Sequence, residues 1–548
     1  MAVTLTINGQ SIQAGDSRSL FDYAEAMGID VPTSCRKQGK CKECMVEVVE
    51  GMGALSALAE PEGHLKGNFR LSCQTHVAAA DGHVRCHTMR RGHMRIERHA
   101  LGLPGSNAAF QLDPAVTRDG DRILIDGVEI ARATGPLLGI AMDLGATTVV
   151  LRVVDLESGE LIADTSFENP QRFGGSEVMS RIAYDTEHPG RLLMRTLAGY
   201  LSHAIEKFPV DPKTIYEMVV VGNSTMRDLF FRQSVYSIGQ TPYRSITEIE
   251  MAEGKRTSTS LIQTGRQSLL PIHPKARVYG APIISGHVGA DAAACMLAVD
   301  LAHEERLVVV MDIGTNTELI LGNKHRILAA SCPAGPAFEG GAIACGMPAL
   351  DGAIEDVAIA ADGSISLRVI GDVRPEGICG SGLVDALSEL LRTHRMNEMG
   401  RFEDDIKRVT LYQDQEKDVF LLESDVNELA QAKGANVAGL HAVFSSYGIN
   451  FEDIDLFYLA GGFGRHLNIE ASKRIGLIPS LDSTRIVQAG NTAIEGATIA
   501  LLSKSKRQEL ESLVKRVEHC RLETHHSFFD FFVEGCQFKP LEPTSCAK

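Results

Sequence analysis

The chain of 548 residues contains no tryptophan, and aromatic residues account for only 5% of it. Proteins that bind single-stranded nucleic acid stack the bases on aromatic side chains, so this composition speaks against that function. The formal net charge of −16 at pH 7 points in the same direction, because a phosphate backbone attracts basic surfaces. We therefore expect no nucleic-acid partner.

Long apolar runs are also missing from the sequence. No run reaches the roughly 18 residues that a membrane span requires. Residues 1–9 lack the basic start and the apolar stretch of a signal peptide. We therefore expect a cytoplasmic protein with no membrane partner, and in that setting the twelve cysteines do not suggest a disulfide framework.

Four of the cysteines have the spacing of iron–sulfur ligands. Cys35, Cys41 and Cys44 read C-x5-C-x2-C, and Cys73 follows after 28 further residues. Three close thiolates and a distant fourth predict a [2Fe–2S] cluster, with Gly39 allowing the loop to curl around it. The alternative is zinc, but zinc ribbons need two C-x2-C pairs and only one is present. The remaining cysteines are expected to be buried or free thiols: Cys86, Cys295, Cys332, Cys345, Cys379, Cys520, Cys536 and Cys546.

The sequence around this loop predicts a β-grasp layout over about residues 1–90. Two short strands joined by an Asn8-Gly9 turn come first, and a helix capped by Ser17 or Ser19 follows. After the cysteine loop, Met45–Val49 has the pattern of a strand. This layout resembles the ferredoxin family. The five-residue first gap matches its adrenodoxin-like branch rather than the plant type, which has four.

Residues 91–135 are expected to be a linker. Arg90, Arg91, Arg95 and Arg98 form a short basic stretch, which we interpret as a solvated surface, with contact to an acidic partner as the alternative. An Asp126-Gly127 pair between two apolar runs predicts a small hairpin.

The rest of the chain contains an internal repeat. Residues 138–154 and residues 307–321 each read as a buried strand, an Asp-x-Gly turn with threonines, and a second apolar strand. The two turns contain Asp143 and Asp312. Two ordinary hairpins with Asp and Gly turns are the alternative, but turn chemistry alone does not require so long a repeat. We therefore expect two related subdomains with a cleft between them.

The residue types in both turns suit Mg-ATP. Asp143 and Asp312, at strand ends, are expected to hold Mg²⁺ through its waters. Glycine allows backbone N–H groups to approach phosphate oxygens, and threonine hydroxyls can donate to them. The residues predicted to bind the phosphates are Gly145, Thr147, Thr148, Gly314, Thr315, Asn316, Thr317 and Glu318.

Two further glycine-rich turns complete the predicted nucleotide site. A buried strand over 454–460 ends in Gly461, Gly462 and Gly464, where a flat adenosine group can approach closely. Gly380 and Ser381 lie in a turn that opens a helix, and helix N-termini favour anions. A packed corner between a strand and a helix explains this second turn equally well.

The order of two phosphate motifs and one adenosine motif resembles the acetate and sugar kinase, Hsp70 and actin superfamily. The resemblance implies two RNase H-like lobes with ATP and Mg²⁺ between them. We place the lobes at about 136–300 and 301–510, with a C-terminal extension over 511–548. The expected fold class is therefore α+β and α/β multidomain, with a β-grasp ferredoxin domain before a duplicated ATPase domain.

A ferredoxin domain joined to such an ATPase resembles the reductive activators of corrinoid proteins. Five segments carry the resemblance: 169–181, 221–226, 285–291, 332–339 and 460–464. The family implies an ATP-dependent enzyme that passes one electron from the cluster to Co(II) and restores Co(I). The implied partner is the corrinoid protein of a methyltransferase system or methionine synthase, and a homodimer is a further expectation.

Other functions remain open at this point. One is a metabolite kinase with a redox-sensing ferredoxin domain, although no sequence feature singles out a substrate or a catalytic base. Another is an Hsp70-like remodeller in which the cluster is only structural. A third is a radical-enzyme activator like those of 2-hydroxyacyl-CoA dehydratases, but these hold a four-iron cluster between subunits, which four N-terminal cysteines do not match.

Overall fold

A computed structural model describes residues 3–15, 17–89, 103–106, 110–188, 190–403, 406–415, 417–462 and 464–542. The chain forms two compact units. The first comprises Met1–His93 and Leu112–Ala281, and the second comprises Met94–Gln111 and Pro282–Lys548. The predicted basic stretch from Arg90 to Arg98 and the thiol of Cys546 lie outside the described residues. Among the helices that are described, none has the length and apolar character needed to cross a membrane.

The first unit begins with a five-stranded sheet and one helix. These elements are β1 (Val3–Ile7), β2 (Gln10–Ala14), α1 (Leu20–Ala26), β3 (Met45–Glu50), β4 (Phe69–Leu71) and β5 (Gly82–Thr88). The strand order is β2-β1-β5-β3-β4, with β1 and β5 parallel and the other pairs antiparallel. This order confirms the predicted β-grasp domain.

Local sequence explains how this domain starts. Asn8 and Gly9 both have positive φ, at 50° and 82°, as the predicted two-residue hairpin turn requires. Ser19 caps α1 and forms a reciprocal capping box with Asp22, which satisfies backbone N–H groups at the helix start. Of the two serines considered from the sequence, Ser19 is therefore the cap.

The first unit continues with a small three-stranded sheet and a larger α/β layer. The small sheet contains β6 (Val116–Asp119), β7 (Arg122–Ile125) and β8 (Val128–Arg132), with the predicted Asp126-Gly127 turn between the last two. The larger layer contains β9 (Leu138–Leu144), β10 (Thr148–Asp155), β11 (Leu161–Glu168), α2 (Val178–Glu187), α3 (Leu192–Glu206), β12 (Ile215–Gly222), α4 (Ser224–Phe230), α5 (Ile246–Ala252), β13 (Leu261–Thr264), α6 (Gly265–Ser268) and β14 (Arg277–Gly280).

The second unit contains another large sheet, two small ones and the remaining helices. They are α7 (Ala290–Ala298), β15 (Val308–Asp312), β16 (Thr317–Gly322), β17 (Ile327–Cys332), β18 (Ala353–Ile359), β19 (Ile365–Val369), β20 (Gly377–Ile378), α8 (Gly380–Arg392), β21 (Arg408–Gln413), β22 (Asp418–Leu422), α9 (Glu423–Tyr447), β23 (Leu456–Ala460), α10 (Ile469–Arg474), β24 (Ile486–Gly490), α11 (Thr492–Leu502), α12 (Lys504–Leu513), β25 (Val517–His519) and α13 (Phe528–Gly535).

Five strands of each large sheet share one topology, and the sixth, β13 or β25, is at opposite ends of the two sheets. The first has the order β11-β10-β9-β12-β14-β13, and the second has the order β24-β23-β15-β16-β17-β25. In each sheet, three consecutive strands pair antiparallel: β9, β10 and β11 in the first sheet, and β15, β16 and β17 in the second. Two further strands extend the sheet in parallel beyond the first of these three, namely β12 and β14 beyond β9, and β23 and β24 beyond β15. The internal repeat is therefore a duplicated RNase H-like fold, as predicted.

The predicted domain boundaries stay a prediction. Helix α7 belongs to the second unit, where it packs so closely on α11 that a Cβ at Gly496 would lie 2.0 Å from the Ala294 carbonyl oxygen. In the C-terminal extension, the buried Lys433 of α9 donates to the carbonyl of Gln537 at 2.8 Å. Burial lowers the pKa of Lys433 to about 7, so this contact anchors the extension with only part of the ordinary lysine charge at neutral pH.

Candidate iron–sulfur and nucleotide sites

The structure brings the four predicted ligand cysteines together in the β-grasp domain, with Cys73, which follows β4, next to the loop that holds the other three. The thiols of Cys44 and Cys73 are buried, whereas those of Cys35 and Cys41 are partly exposed. The ammonium of Lys42 interacts electrostatically with all four, although burial has the larger effect and lowers the pKa of Lys42. Four thiols around one cation show that the distant fourth cysteine reaches the loop.

The four thiols form two pairs. In each pair one thiol shifts the pKa of the other: Cys35 pairs with Cys41, and Cys44 pairs with Cys73. The interaction between Cys44 and Cys73 raises the pKa of Cys44 and lowers the pKa of Cys73. Two pairs of sulfur ligands suit a cluster in which each of two irons takes two protein ligands.

A single metal ion would need a more compact arrangement. In a four-cysteine zinc site, sulfur atoms about 2.3 Å from one ion lie within about 4 Å of one another. Among the described residues, the group whose ligand atoms all lie within 4.8 Å of each other is Asp300, His303 and Glu509, and the cysteines do not form such a group.

Backbone N–H groups point at these sulfurs because the loop winds in the left-handed region. Arg36, Lys37, Gly39 and Lys42 have φ values of 53°, 64°, 68° and 66°. Burial would raise the pKa of the Cys35 thiol, but hydrogen bonds outweigh it and lower the pKa, led by the amide of Cys41. Amides directed at thiolates stabilise the charged form that binds iron.

Gly39 allows one of the tightest approaches in this loop. A Cβ there would lie 3.0 Å from the Gln74 side chain and 3.0 Å from Pro61. We expect Gly39→Ala to lower cluster occupancy, because it adds this crowding to a backbone cost of about 1–2 kcal/mol for a left-handed alanine. Gly28→Ala is the matched control, since Gly28 has a φ of 71° and nothing within 4 Å of its Cβ position. Visible absorbance per protein measures occupancy, and equal loss in both variants would contradict the steric argument.

A buried ion pair supports the segment that leads to Cys73. The Glu62 carboxylate is fully buried and accepts two hydrogen bonds from Arg70, at 2.9 and 3.1 Å. It also accepts from the amides of Ala59 and Leu71 and from the Thr75 hydroxyl. A carboxylate with this many donors fixes its neighbours in one geometry. The network therefore positions the strand end that presents Cys73.

Helix α3 covers one side of the cysteine loop. Its Tyr200 hydroxyl donates to the backbone carbonyl of Glu43 at 2.7 Å, and its His203 Nε2 lies 3.2 Å from the Glu43 carboxylate. A Cβ at Gly199 would lie 2.6 Å from that carboxylate. Because Glu43 lies between Cys41 and Cys44 in the sequence, the first RNase H-like layer contacts the cluster loop directly.

The first predicted phosphate turn is a tight hairpin. The amide of Gly145 donates to the Thr148 carbonyl at 3.0 Å, and a Cβ at Gly145 would lie 2.7 Å from that oxygen. Asp143 is partly exposed at the end of β9, next to this turn, and Thr147 is partly exposed within it. The Gly145 amide therefore serves the turn itself, and the groups that the turn offers to a phosphate or its cation are the side-chain oxygens of Asp143 and Thr147.

Two residues that were not predicted as site residues hold this turn in place. The Asn169 amide donates to the carbonyl of Gly145 at 2.8 Å, and the buried Arg181 donates to the carbonyl of Ala146 at 2.6 Å. Both side chains also contact the sulfur of Met226, at 3.9 and 3.0 Å. Asn169, Arg181 and Met226 all lie in the segments 169–181 and 221–226, which carry the family resemblance. That resemblance is the feature of the sequence from which their role could have been predicted.

We expect Arg181→Met to weaken nucleotide binding at least tenfold. The substitution leaves the carbonyls of Ala146 and Gly175 without a donor, at about 1–3 kcal/mol for each unsatisfied buried group. Titration with a fluorescent ATP analogue measures the affinity, and Arg195→Met, at an exposed arginine, is the control. An Arg181→Met protein that binds nucleotide as well as the control would show that the turn needs no such support.

The second predicted phosphate turn meets the predicted adenosine turn. Asp312 pairs with Ala460 across β15 and β23, and a Cβ at Gly461 would lie 2.9 Å from the Asp312 carboxylate. Gly461 has a φ of 100°, so the chain turns sharply there, whereas the Cβ position of Gly462 is open. Gly314 is less constrained, since its Cβ would lie 3.4 Å from the Asn316 carbonyl oxygen.

Carboxylates gather around Asp312. Burial raises the pKa of Glu318 well above its ordinary value, and the charges of Asp291 and Asp312 raise it further. The Thr315 hydroxyl donates to Glu339, and the Cys295 thiol donates to Asp312 at 3.5 Å. Asp291 and Glu339 were not predicted as site residues, although both lie in segments that carry the family resemblance. Oxygen ligands of this kind suit Mg²⁺, which would also relieve their mutual repulsion.

Three other residues that were predicted to bind the nucleotide, Gly380, Ser381 and Thr317, are buried. Gly380 and Ser381 are buried at the start of α8, where a Cβ at the neighbouring Gly382 would lie 2.3 Å from the Ile354 carbonyl oxygen. This packing supports the alternative of a strand–helix corner. The Thr317 hydroxyl is buried and has no hydrogen-bond partner among the residues described here.

The group of Asp300, His303 and Glu509 is not a good metal site. The Lys506 ammonium lies 2.9 Å from Asp300 and 3.1 Å from Glu509. A cation of the protein thus already neutralises these carboxylates.

A β-grasp domain with paired thiols, followed by a duplicated RNase H-like fold, defines an iron–sulfur protein with an actin-like ATPase fold. Three family models match the chain: a 2Fe-2S iron–sulfur cluster binding domain over 4–78, the RACo middle region over 138–304, and the C-terminal ASKHA domain of RACo over 306–546. The chain therefore belongs to the RACo family.

Relatives match over most of their length. The corrinoid activation enzyme RamQ of Eubacterium limosum is 27% identical, with 98% of this chain and 99% of the relative covered. A second relative, from Methanosarcina barkeri, is 25% identical, and the match covers 72% of this chain and 76% of the relative. It is named as a reductase of the Co(II) methylated amine-specific corrinoid protein. The solved structure of a reductive activator for corrinoid, iron–sulfur protein superposes with a TM-score of 0.72, at 26% identity and 98% coverage of both chains.

Proposed function

We propose that this chain is an ATP-dependent reductive activator that passes one electron to the Co(II) centre of a corrinoid protein and restores Co(I). The observation that carries the proposal is the contact between α3 and the cluster loop through Glu43. It joins an electron-transfer loop to a layer that holds a phosphate turn, as a nucleotide-dependent electron donor requires. A ferredoxin domain that served only as a tethered sensor would need no such contact.

The residues have distinct proposed roles. Cys35, Cys41, Cys44 and Cys73 hold the [2Fe–2S] cluster, which supplies one-electron chemistry when bound. Around it, loop amides stabilise the thiolates, and Glu62 and Glu43 keep the loop in one conformation. In the second unit, Asp312 would bind Mg²⁺ with the ATP phosphates, and the adenosine group would lie at the neighbouring Gly461 turn. In the first unit, Asp143 would bind Mg²⁺ at the Gly145 turn.

ATP is needed because the electron transfer is uphill. Every 59 mV of unfavourable potential lowers the one-electron equilibrium constant tenfold. A nucleotide can offset this only if it binds two states of the protein with different affinity. The proposed state change is a rearrangement of the phosphate turns that α3 transmits to the cluster loop, altering how the loop meets the corrinoid protein.

The test is the EPR signal of Co(II) in a purified corrinoid protein of a methyltransferase system or in methionine synthase. With reductant, Mg²⁺ and this protein, we expect the signal to disappear with ATP and to persist without it. A signal that persists with ATP for every corrinoid protein retained from the same cell extract would refute the proposal. A phosphorylated metabolite formed in the same extract would support a kinase instead.

A further inference from the structure

Gln74 directly follows the last of the four ligand cysteines, and its side chain is half-buried against them. Its amide nitrogen Nε2 donates a hydrogen bond to the Cys73 sulfur at 3.3 Å and another to the Lys37 carbonyl at 3.2 Å. Lys37 belongs to the segment between Cys35 and Cys41. One amide group therefore contacts a ligand sulfur and the loop that carries two other ligands.

The loop holds this amide in place and gives it more acceptors than it has hydrogens. A Cβ at Gly39 would lie 3.0 Å from the Gln74 Cδ atom, so the loop closes directly over the amide. Nε2 also donates to the Cys73 carbonyl at 3.1 Å. Because a primary amide has two N–H groups, three acceptors compete for them. The share that the Cys73 sulfur receives therefore depends on how much negative charge it carries.

Two other polar side chains near the ligands are placed less favourably for this role. The Thr33 hydroxyl lies 3.9 Å from the Cys41 sulfur, which is a longer and weaker contact. The Lys42 ammonium donates to the Pro61 carbonyl, which takes up part of its hydrogen-bonding capacity. Compared with these two groups, Gln74 is the better-placed donor to a ligand sulfur.

Burial strengthens the hydrogen bond from Gln74. Cys73 and its partner Cys44 are buried, so water has little access to replace the amide. A hydrogen bond is electrostatically stronger in such a low-dielectric environment. The negative charge on the Cys73 sulfur is greater in the reduced state, which carries one more electron, so the amide binds the sulfur more tightly there. Hydrogen bonds to the sulfurs are among the features that set the reduction potential of an iron–sulfur cluster.

We propose that Gln74 is a positioning residue that raises the reduction potential of the cluster through its hydrogen bond to the Cys73 sulfur. A higher potential makes the cluster easier for an upstream donor to reduce, and it makes the transfer to Co(II) more unfavourable. Gln74 therefore enlarges the difference in potential that ATP must offset. This role rests on the proposed function only in that the four cysteines hold the cluster.

The test is a spectroelectrochemical titration of the full-length protein, in which visible absorbance reports the reduced fraction of the cluster at each applied potential. Gln74→Leu keeps the approximate size of the side chain and removes the donor. We expect it to shift the equilibrium toward the oxidised cluster on the order of tenfold, which lowers the midpoint potential by about 59 mV. Gln74→Glu keeps the shape but places a negative charge beside the sulfur, so we expect it to lower the potential further.

The matched controls are Gln38→Leu and Gln38→Glu, because Gln38 is an exposed glutamine in the same loop. We expect both to stay close to the potential of the unchanged protein, since solvent screens an exposed group. Equal midpoint potentials in Gln74→Leu and Gln38→Leu would overturn the role of Gln74. The midpoint is measured on the loaded fraction, so a partial loss of cluster leaves it readable. If neither Gln74 variant binds a cluster, Gln74 serves assembly instead and the proposed role fails.

The outcomes separate the role of Gln74 from the proposed function. If the potential falls as expected but no corrinoid protein is reduced, the role of Gln74 stands and the proposed function fails. If a corrinoid protein is reduced but Gln74→Leu has the potential of the unchanged protein, the proposed function stands and the role of Gln74 fails. Where both hold, Gln74→Leu yields more Co(I) without ATP than the unchanged protein, because its cluster is the stronger reductant.

Discussion

Replacing Cys44 by alanine is expected to abolish the iron–sulfur absorbance and all electron delivery while leaving nucleotide binding intact. Cys44 is fully buried and paired with Cys73, so its loss removes one of the two ligands of that pair. The thioether of the next residue, Met45, carries no negative charge and is no substitute for a thiolate that binds iron. Iron content, visible absorbance and binding of an ATP analogue measure the three properties.

The control for this prediction is Cys86→Ala. Cys86 is also fully buried, and it lies on β5 directly opposite Val48 of the strand that follows Cys44. Both variants remove a buried sulfur, at a cost of about 1–3 kcal/mol, so general destabilisation affects both. Loss of the cluster in Cys86→Ala, or a full cluster in Cys44→Ala, would contradict the ligand assignment.

Replacing Asp312 by asparagine is expected to lower ATP turnover on the order of 100-fold while leaving the cluster unchanged. Asp312 lies at the end of β15 against the Gly461 turn, with Glu318 and Asp291 in its electrostatic range. The amide keeps the shape of the side chain but loses the charge that helps to hold Mg²⁺ against the phosphates. Phosphate release per cluster is the measurement, with and without the corrinoid protein.

Asp356→Asn provides the control for Asp312→Asn. Asp356 lies on β18 in the same unit, 3.5 Å from Arg368 at the surface, and loses the same charge when substituted. We expect its turnover to match the unchanged protein. Turnover in Asp312→Asn equal to that of Asp356→Asn would remove Asp312 from the proposed nucleotide site.

Much of the fold could be predicted because its signals are local. The Asn8-Gly9 turn, the Ser19 cap and the strand ends at Asp143 and Asp312 depend on neighbours within a few residues. The duplicated topology could be predicted because the repeated segments, 138–154 and 307–321, are long enough to be recognised as similar in the sequence. The four ligands were predicted because a cysteine spacing reports loop geometry directly.

The supporting contacts could not be predicted because they join distant parts of the chain. Nothing near Glu43 indicates that Tyr200 and His203 will contact it. Asn169 and Arg181 reach the Gly145 turn only because β9, β11 and α2 come together in the folded layer. The resemblance to a family marked the segments that contain them but did not indicate what they contact.

The most direct measurement of the central claim is a single-turnover count of electrons. The protein is reduced at its cluster, freed of excess reductant and mixed with a Co(II) corrinoid protein in the presence or absence of Mg-ATP. Absorbance then follows the cluster and Co(I) together. We expect one Co(I) to form for each cluster oxidised in the presence of Mg-ATP, and little of either change in its absence. Cluster oxidation without Co(I), or the same yield of Co(I) without ATP, would contradict it.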